Sequence, residues 1–177
     1  MSALEKHLNT LPDYAKDLRV GLDGLLNSAA ESGLTPAQLW GSAVAIAMTL
    51  RHHDLLAAVR EDAAAHLDEV GLKAAHTAAA MMGMTNVYYH TTYHIMKDDD
   101  YRNMPAGLRM NAVKGHGYDQ ASFDLFALGA SVIGQCSSCI NAHDRDAKNA
   151  GISKQAIHTV VRLASYLNAI AIALDSK

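Results

Sequence analysis

The residues best suited to chemistry lie in one short motif, Cys136-Ser137-Ser138-Cys139-Ile140-Asn141-Ala142-His143. Cys136 and Cys139 are the only cysteines among 177 residues, and His143 follows four residues after the second one. Two thiols at this spacing can form a disulfide, share a metal ion or alternate between thiol and disulfide in a catalytic cycle. The serines between them are small and polar, so a substrate can approach the sulfur atoms.

A helix that begins at this motif would place Cys136, Cys139 and His143 on one face, within an arc of roughly 60°. The nucleophile in peroxide reduction and in disulfide exchange is the thiolate, and a free cysteine has a pKa near ~8.5. The unpaired N–H groups of a helix N-terminus favour the thiolate. A histidine can accept a proton, and a second thiol can convert a sulfenic acid into a disulfide.

Asp124 lies twelve residues before Cys136, at the start of the preceding apolar segment. The sequence Gly134-Gln135 predicts a break after which two helices fold back on one another. This turn would bring the Asp124 carboxylate near the thiols, as a proton acceptor or as an orienting partner of His143.

Among the other histidines, His116 and His158 show no companions in the sequence. His90 and His94 lie four residues apart on one predicted helix and form a possible metal clip without a nearby third ligand, and His52-His53 beside Asp54 has metal-binding side chains but is more typical of a solvated helix start.

Other interpretations of the cysteine pair stay open at this point. Cys136, Cys139 and His143 have the ligand types of a zinc site, although no fourth ligand is evident and the histidine is distant in the helical register. Two buried cysteines can also lie close together by chance, because cysteine is common in helical cores.

Helix signals recur along the chain, and no strand pattern with turn chemistry accompanies them. Thr35-Pro36-Ala37-Gln38 combines a capping box with proline at the first helical position. Such signals predict an all-α fold, with helices at about 12–26, 35–50, 54–63, 68–80, 85–96, 122–134, 136–151 and 154–174. Asp54 is expected to cap the third of these helices. A break is expected at Met81-Met82-Gly83-Met84, and a long connection with one helical turn at 97–120.

The length suits one domain over 1–177, built from two similar helical halves. The first half, about 1–96, lacks thiols, and the second, about 121–177, carries the Cys-x-x-Cys site. Gln38-Leu39-Trp40 and Asp124-Leu125-Phe126 each precede an alanine-rich helix, which is a weak sign of a repeat.

Charge and hydropathy exclude several classes of function. The net charge is −3, and the basic residues are scattered, so neither a nucleic-acid surface nor a membrane anchor is expected. The first residues lack the apolar core of a signal peptide. The expected location is the cytoplasm, where reducing conditions favour a redox or metal role for close cysteines over a structural disulfide.

Several stretches resemble the alkyl hydroperoxidase AhpD family, within the carboxymuconolactone-decarboxylase-like superfamily. The resemblance covers nearly the whole chain. It rests on Leu39-Trp40-Gly41, on 82–89, on Gly107-Leu108-Arg109-Met110-Asn111, and on the run from Phe123 to His143. It implies an AhpD-like helical subunit in a homotrimer, with no metal and no bound cofactor. It also implies an antioxidant dithiol peroxidase that reduces alkyl hydroperoxides and re-reduces the peroxiredoxin AhpC. Its electrons would come from dihydrolipoamide on a lipoyl-bearing acyltransferase, served by lipoamide dehydrogenase.

The resemblance assigns roles to four residues. Cys139 would become the sulfenic acid, Cys136 would be its proton donor and resolving thiol in a Cys136–Cys139 disulfide, and His143 and Asp124 would form the proton relay. Asp124 stands where the family has glutamate, so a water is expected to bridge a contact that is direct in the family. Ser138 stands where relatives carry histidine, which is expected to weaken the activation of Cys139.

A second hypothesis comes from a different class of protein. A redox sensor or zinc-binding adaptor would use the same cysteines without turnover and would change partners when they oxidise. A decarboxylase of the wider superfamily would leave the dithiol unexplained.

Overall fold

The structure is a computed structural model that describes residues 1–176; Lys177, the last residue of the expected domain, lies outside the described residues. Over residues 1–176 the chain forms helices and no strand, which confirms the all-α fold. The α-helices are α1 (Ala3–Leu8), α2 (Lys16–Ser28), α3 (Pro36–Leu50), α4 (His53–Ala63), α5 (Glu69–His90), α6 (Asp100–Asn103), α7 (Asn111–Lys114), α8 (Gln120–Ile133), α9 (Ser137–Asn149) and α10 (Lys154–Asp175).

Helices α3 and α8 form the centre of the fold and pack against one another, and both also contact α5 and α10. Their close approach depends on glycine. A Cβ atom at Gly41 of α3 would fall on the ring of Phe126, and one at Gly129 of α8 would lie 2.8 Å from Cγ1 of Ile46. Both helices are buried on nearly all sides, so apolar residues surround each helix and do not mark a single buried face in the sequence.

The start of α3 agrees with the sequence prediction. Thr35 accepts a hydrogen bond from the backbone N–H of Gln38, and the Gln38 side chain accepts one from the N–H of Thr35, which completes the capping box. Ser153 caps α10 by accepting from the N–H of Ala156. By length and composition α10 could cross a bilayer, but 56% of its apolar window is buried inside the fold. Its apolar face is part of the core.

Helix α5 contradicts the expected break at 81–84. It runs without interruption from Glu69 to His90 and continues as a π-helical segment, Thr91–Ile95. Gly83 lies on an exposed side of this helix, and a single glycine costs a helix only about 1 kcal/mol relative to alanine. Packing of α5 on α3, α8 and α9 outweighs that cost.

Two predictions about the first half were incomplete or wrong. Helix α1 was not expected, although Ser2 and Glu5 form a capping box and the Asp62 carboxylate of α4 accepts from the first two helical N–H groups. Asp54 is not the cap of α4. His52 occupies that position, and its Nδ1 atom accepts from the N–H of Leu55 at 3.1 Å.

The connection between α5 and α8 contains two single-turn helices, α6 and α7, where one turn was expected at 108–113. The guanidinium of Arg102 in α6 lies 5.2 Å from the centre of the Tyr93 ring. Helix α7 packs on α5. The connection therefore covers the end of α5 that faces the cysteine motif.

Candidate active site

A tight turn between α8 and α9 positions the cysteine motif. Gly134 ends α8, and Gln135 adopts a left-handed conformation with φ of 51°. The space beside Gly134 is filled by Asn86 of α5, whose amide donates to the carbonyl of Ala130 at 3.3 Å. The Oγ atom of Ser131 donates to the amide oxygen of the same asparagine at 3.2 Å. This buried polar contact holds α5 against the turn that precedes Cys136.

Cys136 is the N-cap of α9, one position before the helix proper. Its sulfur accepts a hydrogen bond from the backbone N–H of Cys139 at 3.3 Å, and the Oγ atom of Ser138 lies 3.4 Å from the same sulfur. Both groups can donate to sulfur, so they stabilise a thiolate at Cys136 when the pair is reduced. Ser138 therefore faces the sulfur of Cys136.

Cys136 and Cys139 are joined by a disulfide, with their Cα atoms 5.3 Å apart. The two cysteines differ in access. Cys136 is completely buried, whereas Cys139 is 7% exposed and lines a cavity of about 340 Å³. Of the two cysteines, Cys139 is therefore the one that a molecule entering this cavity contacts first.

The wall of this cavity is largely apolar. It is formed by α5, by the π-helical segment that follows it, by α7 with the residue before it, and by α9. Besides Ser138, Cys139, Ala142 and His143, its lining residues are Met82, Thr85, Tyr89, Tyr93, Met110 and Val113. The cavity suits a reactant with an apolar group attached to a polar reacting end. Sequence reasoning did not place these methionines and tyrosines at the site, since nothing in the sequence puts them opposite the cysteines.

His143 and Asp124 are in direct contact. Nδ1 of His143 lies 3.0 Å from Oδ1 of Asp124, which is only 4% exposed. The expected water is not needed for this contact, because the shorter aspartate side chain on α8 reaches the imidazole of α9 by itself. The other ring nitrogen, Nε2, lies 3.2 Å from the sulfur of Met82 in the cavity wall. The four residues named from the sequence thus meet at the junction of α8 and α9.

His116 has companions that the sequence did not reveal. Its Nε2 atom is 3.2 Å from Oε1 of Gln120, and the amide nitrogen of Gln120 donates to Oδ2 of Asp124 at 3.2 Å. The expectation that His116 stands alone was wrong, because the turn before α8 brings it back over the first turn of that helix. The signal in the sequence was the spacing of His116, Gln120 and Asp124, which follow one another at intervals of four residues.

A second unpredicted contact lies on the other side of the motif. The Nε2 atom of His94, at the end of the π-helical segment, is 2.8 Å from Oγ of Ser137. An imidazole from the π-helical segment after α5 therefore lies beside the first turn of α9.

A helical fold with a Cys-x-x-Cys disulfide at a helix N-terminus, beside a histidine–carboxylate pair and an apolar cavity, defines a thiol–disulfide redox protein. Residues 99–176 match the carboxymuconolactone decarboxylase family. Three similar relatives carry the name alkyl hydroperoxide reductase AhpD. The relative from Rhodospirillum centenum is 43% identical over 94% of this chain and 88% of its own. Those from a Bradyrhizobium species and from Coxiella burnetii are 41% and 40% identical, over 98% and 95% of this chain and 94% of each relative. The chain belongs to the AhpD family.

Proposed function

We propose that this protein is an antioxidant oxidoreductase that reduces alkyl hydroperoxides through its two cysteines. The observation that carries the proposal is the unequal access of the two sulfurs: Cys139 faces an apolar cavity, and Cys136 lies behind it, stabilised by hydrogen-bond donors. The names of the relatives support the peroxide as the oxidant.

In the oxidative half of the cycle, the Cys139 thiolate attacks the terminal oxygen of the hydroperoxide. The O–O bond breaks, the alcohol leaves after taking a proton, and Cys139 becomes a sulfenic acid. The Cys136 thiolate then attacks the sulfur of Cys139, releases water after protonation of the hydroxide, and forms the disulfide. His143, held by Asp124, takes and returns the protons in the cavity.

In the reductive half, a thiolate of dihydrolipoamide attacks the sulfur of Cys139, because that sulfur is the accessible one. The Cys136 thiolate leaves, and the N–H of Cys139 and the hydroxyl of Ser138 stabilise it. The second lipoyl thiol attacks the lipoyl sulfur of the mixed disulfide and releases the Cys139 thiolate. The lipoyl group closes into its cyclic disulfide, so two electrons have passed to the protein.

The physiological setting is part of the same proposal. A lipoyl-bearing acyltransferase supplies the dihydrolipoamide, lipoamide dehydrogenase regenerates it, and the peroxiredoxin AhpC takes electrons from the reduced cysteines in the cytoplasm. A lipoyl group on its lysine arm is narrow and partly apolar, which suits the cavity. Family membership supports AhpC as the partner.

The assembly we propose is a homotrimer. Large apolar side chains are exposed near the end of α5 and in the connection that follows, namely Val87, Ile95, Tyr101 and Met104. Contact between subunits would remove them from water. Sedimentation equilibrium tests this assembly, and a single species near the 18.9 kDa of one chain would contradict it.

The function is tested by steady-state turnover of an alkyl hydroperoxide with dihydrolipoamide, with and without AhpC. Cys139→Ser and Cys136→Ser should each abolish turnover, whereas Ser165→Ala on the exposed side of α10 should not change it. Unchanged turnover in both cysteine variants would refute the proposal. Absence of turnover together with one tightly bound zinc ion per chain would instead support the adaptor hypothesis.

A further inference from the structure

Four side chains form a continuous hydrogen-bonded row that begins at the active-site histidine and ends in the connection between α5 and α8. The row runs from His143 to Asp124, then to Gln120 and to His116, with contacts of 3.0, 3.2 and 3.2 Å. Asp124 and His116 are buried, with exposed fractions of 4% and 6%. Gln120, in the first turn of α8, lies between them and covers the buried carboxylate on its outer side.

The direction of each hydrogen bond is determined at the far end of the row. The backbone N–H of Tyr118 donates to Nδ1 of His116 at 3.1 Å, so the neutral ring carries its proton on Nε2. That proton is donated to Oε1 of Gln120, which leaves the NH₂ group of the amide to face Asp124. The His116 ring is also stacked on Phe123, with centroids 4.1 Å apart, and this contact fixes its plane.

The same reasoning determines the state of His143. A carboxylate that already accepts from Gln120 on Oδ2 can only accept on Oδ1, so the proton of neutral His143 lies on Nδ1. Its Nε2 atom is then free to take a proton on the cavity side. Once protonated, that N–H has the Met82 sulfur at 3.2 Å as a weak acceptor.

We propose that Gln120 and His116 are positioning residues, which hold Asp124 so that His143 presents an unprotonated Nε2 to the cavity. Neither residue lines the cavity, and both act through Asp124. Their importance for turnover rests on the function proposed above. The orientation of the two imidazoles is a property of the folded protein and is independent of that function.

The surroundings of His143 contain few competing groups. Cys139 belongs to the same helix, Tyr89 from α5 and Tyr93 from the segment after α5 line the same cavity, and Asp124 is the partner from α8. The only α5 side chain with a polar contact to the ring is the thioether of Met82. Within residues 1–176, the row that ends at His116 is therefore what fixes the ring orientation.

The row also connects the active site to the cavity wall. His116 belongs to the same connection that supplies Met110 and Val113 to that wall. Since the backbone after His116 helps to fix its ring, a shift of this connection would reach Asp124 through Gln120. The positioning residues are therefore linked through the backbone of this connection to two residues of the cavity wall.

The test uses the full-length protein labelled with ¹⁵N at histidine, because imidazole nitrogen shifts distinguish the two neutral forms of the ring. In its neutral form, His143 of the unsubstituted protein should carry its proton on Nδ1, and neutral His116 should carry its proton on Nε2. Gln120→Leu removes both hydrogen bonds of the amide, which frees the Asp124 carboxylate to turn away from His143, so His143 should become a mixture of both neutral forms. Gln155→Leu, an exposed glutamine in the first turn of α10, is the matched control and should leave both rings unchanged.

Turnover of an alkyl hydroperoxide should fall roughly tenfold in Gln120→Leu, through kcat rather than KM. His116→Phe keeps the stacking on Phe123 and should reproduce that loss, and His116→Gln, which retains a donor near the position of Nε2, should recover most of it. Thermal melting of each variant shows whether it is folded.

Two results would overturn the proposal. One is a His143 ring with its proton on Nε2 in the unsubstituted protein. The other is a folded Gln120→Leu variant whose His143 shifts match those of the unsubstituted protein. If the unsubstituted protein shows no turnover at all, the proposed function fails, and the imidazole shifts still decide the positioning role.

Discussion

Replacing Asp124 by asparagine removes one proton-accepting oxygen from a network in which the other donors and acceptors are fixed. The carboxylate accepts from Nδ1 of His143 and from the amide of Gln120. An asparagine side chain of the same shape has one accepting oxygen and one donating NH₂ group. The asparagine can therefore accept from only one of its two neighbours, His143 or Gln120, both of which now act as donors. Because His116 holds the Gln120 amide, the mismatch falls on His143.

The size of the effect follows from the hydrogen bond that changes. His143 can accept from the new amide only if its proton moves from Nδ1 to Nε2, and then no free nitrogen faces the cavity. A hydrogen bond to a charged group contributes about 1.5–3 kcal/mol, and about 1.4 kcal/mol corresponds to a factor of ten in rate. The rate of cysteine oxidation in Asp124→Asn should therefore fall roughly 10- to 150-fold.

The assay is single-turnover oxidation of the reduced protein by an alkyl hydroperoxide, quenched by alkylation and followed by mass spectrometry. Asp144→Asn is the matched control, because that carboxylate lies on the surface of α9 beside Lys148 and next to His143 in sequence. It should oxidise at the rate of the unsubstituted protein. If Asp124→Asn, correctly folded, oxidises within twofold of that rate, the argument from hydrogen-bond direction is wrong.

Three further predictions concern single side chains. Ser138→Ala removes a donor to the leaving thiolate and should slow reduction of the disulfide by dithiothreitol about fivefold; an unchanged rate would exclude this role. Gly129→Ala should destabilise the fold by about 1–2 kcal/mol through overpacking. Gly83→Ala, with open space around it, should stabilise α5 by about 0.5–1 kcal/mol. If the midpoints of urea unfolding of both variants shift in the same direction, the described packing is contradicted. Burial, and then the charge of Arg60, lower the pKa of His76 below 6.5. The unfolded chain then binds the proton first as the pH falls, so stability should decrease below pH 6.5, and His76→Gln should flatten that slope in urea titrations.

Local signals in the sequence were sufficient for much of the fold. The capping residues Thr35 and Ser153 mark true helix starts, because a side-chain oxygen that accepts from the N3 amide is a local interaction. The break at Met81-Met82-Gly83-Met84 was predicted from equally local signals and is wrong. Contacts with three other helices hold α5 together there, and such contacts are absent from any short window of sequence.

At the candidate site, too, features set by local spacing could be predicted, and features set by contacts between distant segments could not. Cys136, Cys139 and His143 could be grouped from their spacing on one helix, and Asp124 from the turn between two helices. The cavity wall and the partners of Asp124 could not, since they depend on where α5 and the connection at 96–119 lie in space. His94 is the clearest case: it is 43 residues from Ser137 and yet forms a hydrogen bond to it.

The N-cap of α9 has a consequence for the dynamics of the protein. Other helices of this chain are capped by the oxygen of a serine, threonine or aspartate, at Ser2, Thr35, Asp68, Asp119 and Ser153. Helix α9 is capped by the sulfur that gains and loses electrons. A thiolate accepts a hydrogen bond more strongly than a disulfide sulfur does. The amide of Cys139 should therefore exchange its hydrogen with solvent more slowly in the reduced protein, so the first turn of α9 tightens and loosens once in each redox cycle.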